Sequence, residues 1–352
     1  MKFATGRLAF LIAAVTILFL LSPSFHAPLI ARTGQQRPDK PKLQKSQSKE
    51  RDEEQQQKDD DTITLGRVLV LLDVTVVDPA NKPAMDLKQD EFAVTEDKIP
   101  QKIEFFSREQ VPVSLVFAID TSGSMRPKLD TVVKASSNLV KEGRAGDEMA
   151  VIEFKDQPEL LEEFTGDVND VIDTLNGLVA SRQTAMLDAL YLAADYASKE
   201  GKNRRKAVLV VTDGLDNDSY YKFSEVVSHL REIDVQIYLI GFISDLDRDS
   251  GLFKKSAKDK AENLLTKLAE ETGGKAFFPR ELSETHAIAE QISTDLRTQY
   301  SIGYYPSNSK KDGSFRAVKV QVNSGTRRLI ARTRNGYTAP REGERKSVSN
   351  SK

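Results

Sequence analysis

The chain has 352 residues, of which 39% are hydrophobic and 30% charged, so it is long enough for about two domains with folded cores. Its 51 lysines and arginines nearly balance its 53 aspartates and glutamates. The net charge therefore gives no general attraction to nucleic acid, and we expect no nucleic-acid partner. The absence of cysteine excludes disulfides, thiolate zinc sites and cysteine nucleophiles, and only three histidines are available for catalysis or metal binding.

The N-terminal residues carry a targeting pattern. Lys2 and Arg7 form a basic start, and an apolar run follows from residue 8 to residue 21. We interpret residues 1–27 as a signal peptide or an uncleaved membrane anchor, because the run suits a signal-peptide core while the cleavage points near Ala27 and Ala31 are imperfect. Either interpretation predicts an extracytoplasmic protein, which is secreted or periplasmic, or is anchored to the membrane through residues 8–21.

Two polar segments are predicted to be disordered. Residues 28–62 are rich in Gln, Lys, Asp, Glu and Ser, and residues 339–352 are also polar. Such segments cannot bury enough apolar surface to offset the entropy of an ordered chain. We therefore expect a disordered polar linker at residues 28–62 and a disordered tail at residues 339–352.

Strand patterns occur in two separated segments that flank the middle of the chain. In residues 63–110 the pattern predicts a β-meander with strands at 68–77, 91–96 and 102–106. In residues 299–338 it predicts strands at 300–306, 316–322 and 329–332. Neither segment has enough strands to cover its own apolar face. We therefore expect the two segments to pair as the halves of one small β-sandwich.

The middle segment, residues 111–298, alternates strands with helices. The apolar patterns predict strands at 113–120, 148–154, 160–164, 206–212, 235–242 and 275–278. They predict helices at 127–142, 168–178, 185–198, 223–232, 258–272 and 283–298. This alternation is typical of an α/β domain with a mostly parallel sheet and helices on both faces. The predicted architecture is thus an α/β domain inserted into a small β-sandwich.

Oxygen-bearing side chains follow the ends of two predicted strands. Asp120 ends one strand and Asp213 follows another, so both are expected in the crevice at the carboxyl edge of the sheet. Ser122 and Ser124 share a tight loop after the first strand, and Thr184 precedes a helix. Two carboxylates and three hydroxyls suit a hard cation, Mg²⁺ with Mn²⁺ or Ca²⁺ as alternatives. The alternative is a purely structural role, in which Asp-x-Ser-x-Ser forms only a turn or a helix cap.

These residues carry a resemblance to a known family. In their order and spacing, the five resemble the metal-ion-dependent adhesion site (MIDAS) of von Willebrand factor A domains, which implies a Rossmann-like fold over residues 111–298. The flanks resemble those of the bacterial VWFA-related Acidobacterial domain family through Val74-Thr75-Val76-Val77-Asp78, Leu87-x-x-Asp90-Glu91-Phe92, Glu96-Asp97, Gln101-x-Ile103, Tyr300-x-Ile302-Gly303-Tyr304-Tyr305-Pro306 and Arg334-x-Gly336-Tyr337. The resemblance implies protein binding or adhesion.

The expected function is metal-dependent binding of a partner protein. A bound divalent ion can exchange a water for an external carboxylate, so the expected partner offers an Asp or Glu side chain. Gly-x-Ser-x-Gly, His-Glu-x-x-His and phosphate-loop motifs are absent from the sequence, and we expect no enzymatic activity. Two alternatives stay open, namely a scaffold or assembly factor that uses the metal only structurally, and a metal-dependent hydrolase.

Overall fold

The computed structural model describes residues 40–45, 68–181, 184–213, 216, 218–247 and 257–342. The predicted signal or anchor segment, most of the predicted linker and residues 343–352 of the predicted tail lie outside the described residues. Within these ranges, no helix combines the length and the apolar character needed to cross a membrane.

The described residues form fifteen strands and six α-helices. The strands are β1 Gln44–Lys45, β2 Val70–Val77, β3 Phe92–Glu96, β4 Ile99–Gln101, β5 Ile103–Ser107, β6 Val113–Asp120, β7 Glu148–Phe154, β8 Pro158–Thr165, β9 Arg205–Thr212, β10 Gln236–Gly241, β11 Ala276–Phe277, β12 Gln299–Tyr304, β13 Phe315–Val322, β14 Ile330–Arg332 and β15 Gly336–Thr338. The helices are α1 Leu129–Lys141, α2 Val168–Asn176, α3 Met186–Glu200, α4 Phe223–Glu232, α5 Ala257–Glu271 and α6 Thr285–Arg297.

A seven-stranded sheet forms the centre of the middle segment, in the order β1-β8-β7-β6-β9-β10-β11. The five strands from β7 to β11 in that order are parallel, whereas β8 is antiparallel to β7 and β1 is parallel to β8. Helices α1, α2 and α6 pack on one face, and α3, α4 and α5 pack on the other. The predicted α/β, Rossmann-like fold is therefore confirmed.

The position of β6 explains where a site can form. All eight residues of β6 are buried, because its side chains alternate between the two helix-covered faces. The chain leaves β6 through α1 to reach β7 on one side, while β9 pairs with β6 on the other side. Strand order thus reverses at β6, and a crevice opens at the carboxyl ends of β6 and β9.

The flanking segments form the predicted sandwich. Two antiparallel sheets, β14-β2-β12-β5 and β15-β13-β3-β4, combine strands from both ends of the chain. Their facing side chains share one apolar core, which includes Val74 and Ile302 of the first sheet and Val94 and Val320 of the second. Pairing of β12 with β2 and of β13 with β3 closes the sandwich across the inserted domain.

The predicted β-meander is wrong, because β2 and β3 lie in different sheets. Among the strands of residues 68–110, β3 and β4 form the one hairpin, whose turn at Asp97 and Lys98 has positive φ angles. A meander of the first three strands would leave one apolar face uncovered, whereas two facing sheets bury both inner faces. The strand β15 had no sequence signal, because three residues are too few to show a period of two.

Part of the predicted disordered linker is ordered. Gln44 and Lys45 form β1, which pairs with Glu159 and Leu160 of β8 at the edge of the central sheet. An edge strand presents unpaired backbone N–H and C=O groups, and a polar chain can bind these groups without apolar side chains of its own. The composition of the linker therefore did not reveal this strand.

The inserted domain contacts the sandwich through buried polar groups at the end of the sheet opposite the crevice. Arg205, the first residue of β9, donates to the carbonyl of Leu296 over 2.9 Å and to Asp73 of β2 over 3.4 Å. Arg332 of β14 donates to Asp295 of α6 over 2.6 Å. Only one residue separates α6 from β12. The sandwich therefore contacts the central sheet at the end opposite the crevice.

Candidate metal site

Asp120, the last residue of β6, is fully buried and accepts hydrogen bonds from residues of two strand ends. Its Oδ1 accepts from the backbone N–H of Ser122 over 2.9 Å. Its Oδ2 accepts from the hydroxyl of Thr212, the last residue of β9, over 2.7 Å. The side chain therefore spans the carboxyl ends of two neighbouring strands, in the crevice where the sequence predicted it.

The two serine hydroxyls lie side by side on the loop after β6. The Oγ atoms of Ser122 and Ser124 are 3.1 Å apart. Ser122 has extended backbone and precedes a short 3-10 turn, Gly123–Met125, which brings the second hydroxyl next to the first. Adjacent ligands of an octahedral Mg²⁺ with bonds of about 2.1 Å are separated by about 3 Å. The spacing of the hydroxyls thus fits neighbouring positions around such an ion.

The loop that carries Thr184 is fastened to the same edge of the sheet. The N–H of Ser181 donates to the carbonyl of Thr121 over 2.7 Å, and the N–H of Ala185 donates to the carbonyl of Lys155 over 2.7 Å. Thr184 itself is buried. These bonds join the start of α3 to the carboxyl ends of β6 and β7, and so they place Thr184 at the crevice.

Asp213 follows β9 directly and is also buried. The pKa of Asp120 is raised from 3.8 to about 6, mainly by burial and in part by the nearby negative charge of Asp213, while hydrogen bonds from Ser122 and Thr212 oppose the rise. A cation beside Asp120 would favour the ionised form of its carboxyl group. All five predicted residues thus lie at one edge of the sheet.

The donor set contains only two carboxylates. Accordingly, the described residues hold no group of three or more His, Cys, Asp or Glu side chains arranged for a metal. Two carboxylates balance the charge of a divalent ion, and neutral hydroxyls and water supply the remaining oxygens of a Mg²⁺ shell. The residues present therefore fit a hard divalent cation by their chemistry.

Comparison with known families identifies the inserted domain. A family model described as von Willebrand factor type A domain matches residues 115–215, a range that contains all five predicted site residues. The chain contains a von Willebrand factor type A domain. The name A domain is used below for residues 111–298, which carry the central sheet apart from β1.

Several solved structures align with the chain. The von Willebrand domain of the type V pili tip protein Mfa5 from Porphyromonas gingivalis is 23% identical, with 30% of this chain and 39% of that chain covered and a TM-score of 0.29. An aerotolerance-related membrane protein from Bacteroides fragilis is 20% identical, and the alignment covers 52% of this chain and 98% of that chain with a TM-score of 0.41. BatB from Bacteroides thetaiotaomicron is 20% identical, and the alignment covers 52% of this chain and 98% of that chain with a TM-score of 0.39. The assignment of the A domain rests on the family match.

The structure adds supporting residues that the sequence reasoning missed. Thr121 donates from its hydroxyl to Glu153 of β7 over 3.1 Å, and Lys155 donates to the other oxygen of that carboxylate over 2.7 Å. Glu153 is buried within a strand of otherwise mostly apolar residues, which was the available signal. Thr212 holds Asp120 from the neighbouring strand. These contacts fix the loop after β6 against β7 and β9.

Residues 219–221, which come after Asp213, are bound to the first turn of α3. Asp188 is buried in the first turn of α3 and accepts hydrogen bonds from the N–H groups of Tyr220 and Tyr221, each over 2.9 Å. Asp216 accepts from the hydroxyl of Ser219 over 2.5 Å. Burial raises the pKa of both carboxyl groups. Their oxygens bind backbone and hydroxyl donors of Ser219, Tyr220 and Tyr221.

Proposed function

We propose that the A domain binds a divalent cation, Mg²⁺, through Asp120, Ser122, Ser124, Thr184 and Asp213, and that it mediates metal-dependent interaction with a partner protein outside the cytoplasm. The observation that carries the proposal is the placement of the paired serine hydroxyls, 3.1 Å apart, on the loop that Asp120 holds at the end of β6. Mn²⁺ and Ca²⁺ are alternative ions for the same oxygen donors.

The arrangement supports recognition of an acidic partner. When bound, the ion would supply a Lewis-acidic position at which an Asp or Glu carboxylate of the partner replaces a water. Ser124 is exposed at the crevice while Asp120 and Ser122 are buried. The buried residues would therefore hold the ion from below, and the exposed side would face the partner. The sandwich contacts the opposite end of the sheet and leaves this face accessible.

Titration calorimetry with MgCl₂ tests the metal site. Asp120→Ala should abolish Mg²⁺ binding and keep the circular dichroism spectrum of the fold, because the residue ends β6 and is not part of the apolar cores on either side of the sheet. The matched control is Asp130→Ala, which removes an exposed aspartate ten positions along the chain on α1. Mg²⁺ binding by Asp120→Ala with the affinity of the wild type would remove Asp120 from the site.

Capture of partner proteins with and without EDTA then separates the candidate functions. The proposal expects capture that requires Mg²⁺ and is lost with Asp120→Ala but not with Asp130→Ala. Mg²⁺ binding together with equal capture in EDTA would instead support a scaffold in which the metal is only structural. A hydrolase would release product from the captured partner in a metal-dependent manner.

A further inference from the structure

The edge of the central sheet at β8 is covered by a segment from outside the A domain. Residues 40–45, here called the strap, pass along β8, and Gln44 and Lys45 pair in parallel with Glu159 and Leu160. β8 is eight residues long and has β7 on its other side. Without the strap, the outer backbone groups of β8 would form an open edge, which is a template for another extended chain.

Side-chain contacts show how the edge recognises the strap. The amide of Gln44 donates to the side-chain oxygen of Gln157 over 2.6 Å. The ammonium of Lys45 lies 2.7 Å from a carboxylate oxygen of Glu163. Leu43 is half-buried against the apolar core beneath α3 and α4. Three consecutive residues of the strap thus make side-chain contacts here, namely the apolar Leu43, the amide of Gln44 and the ammonium of Lys45.

The charges of the strap and of β8 are complementary. The strap is basic and β8 is acidic, through Lys40, Lys42 and Lys45 on one side and Glu159, Glu162 and Glu163 on the other. At the N-terminal end of the strap, the ammonium of Lys40 lies 5.9 Å from the ring centroid of Tyr221. An extended chain with a lysine at the position of Lys45 therefore matches this edge in backbone pairing and in charge.

The strap is held weakly enough to exchange. Of the six residues of the strap, two pair with β8, and the side chains of Lys45 and Glu163 are 71% and 63% exposed, so water and salt screen their attraction. The 22 residues from position 46 to 67 connect the strap to the sandwich, and such a length can span up to about 75 Å. Release of the strap is therefore not prevented by the length of its connection.

We propose that the β8 edge of the A domain is a docking site for an extended basic segment of a partner protein. The strap occupies this site in cis and must be displaced before the partner binds. The partner adds a strand beside β8 and places a lysine next to Glu163, as Lys45 of the strap does. This site is separate from the proposed metal site and requires no metal ion.

Disulfide trapping in EDTA tests occupation of the edge in cis. The chain has no cysteine, so Gln44→Cys with Glu159→Cys introduces one pair of thiols into the full-length protein. Paired strands place these positions about 5 Å apart, within the range that a disulfide spans. The monomer should form an intramolecular disulfide. The control pair, Gln44→Cys with Gln321→Cys, places the second thiol on the exposed face of β13 and should not. Failure of the first pair, or disulfide-linked dimers, would overturn the assignment.

Competition with peptides tests the docking site. The trapping rate of the first pair is measured with the peptide Lys-Pro-Lys-Leu-Gln-Lys and with a peptide in which glutamates replace the lysines. The basic peptide should halve the rate at the concentration that fills half of the edges. The acidic peptide should leave the rate unchanged. A rate that neither peptide changes, or that both slow equally, contradicts the proposed site. Because EDTA is present throughout, neither result depends on the proposed metal site.

Discussion

The buried carboxylate of Asp120 predicts a specific dependence of stability on pH and metal. Asp120→Asn keeps the size of the side chain and removes its charge. The amide oxygen can accept from the N–H of Ser122, and the amide nitrogen can donate to the hydroxyl oxygen of Thr212, so both contacts of the wild type are retained in form. The main change is therefore the loss of a desolvated negative charge.

The magnitude follows from the pKa of Asp120, which burial raises from 3.8 to about 6 in the folded protein without metal. The folded state then holds a proton more tightly than the unfolded state, so ionisation of Asp120 destabilises the fold. This destabilisation is absent below pH 3.8 and complete above about pH 6, where it is about 3 kcal/mol. At pH 5 it is about half as large.

The measurement is urea denaturation of both proteins in EDTA from pH 5 to pH 8. The stability of Asp120→Asn relative to wild type should rise by about 1.4 kcal/mol over this range, because all other titrating groups are common to both proteins. Adding Mg²⁺ at about 100 times its Kd should stabilise the wild type by about 2.7 kcal/mol and the variant little. A stability difference that does not change with pH in EDTA would refute the reasoning about Asp120.

Two further predictions concern packing. Arg205→Met removes a fully buried guanidinium that joins the A domain to the sandwich, and should lower the free energy of unfolding by roughly 3 kcal/mol. Arg204→Met changes a more exposed position and should lower it by less than about 1 kcal/mol. Equal losses for the two variants in urea denaturation would be inconsistent with this role of Arg205. Gly274→Ala should lower the free energy of unfolding by about 3 kcal/mol or more, because the added Cβ would lie 2.0 Å from the carbonyl oxygen of Ile237. Gly166→Ala should change the melting temperature little, because its Cβ would lie 3.5 Å from the nearest atom, the carbonyl oxygen of Asp147. Similar melting temperatures for the two glycine variants would show that the backbone yields.

The central sheet and the place of its site were largely predictable from local patterns. The run from Val113 to Ile119 is apolar at every position but one, which is typical of a strand covered on both faces. Asp120 ends this run, and Asp213 follows a similar one, so the sequence alone predicts that both lie at the carboxyl edge of the sheet. The metal, by contrast, stays a prediction that the proposed titrations test.

The supporting groups of the site needed the structure. Glu153 is distant in sequence from Thr121 but adjacent across the pairing of β6 with β7. The serine spacing in the sequence permits many relative positions of the two hydroxyls, and only the 3-10 turn sets their separation at 3.1 Å. Such distances depend on loop backbone angles, which apolar periodicity does not report.

By itself, the sequence determined the alternation of strands and helices, the two β-rich flanks and the oxygen donors at strand ends, because each follows from the local periodicity of apolar residues and the residues that interrupt it. Only the tertiary structure decided that β2 and β3 belong to different sheets, that Arg205 rather than Arg204 is buried between domains, and that residues of a polar linker pair with β8. Those outcomes depend on backbone hydrogen bonds and on which surfaces meet, and both join residues that are far apart in the chain.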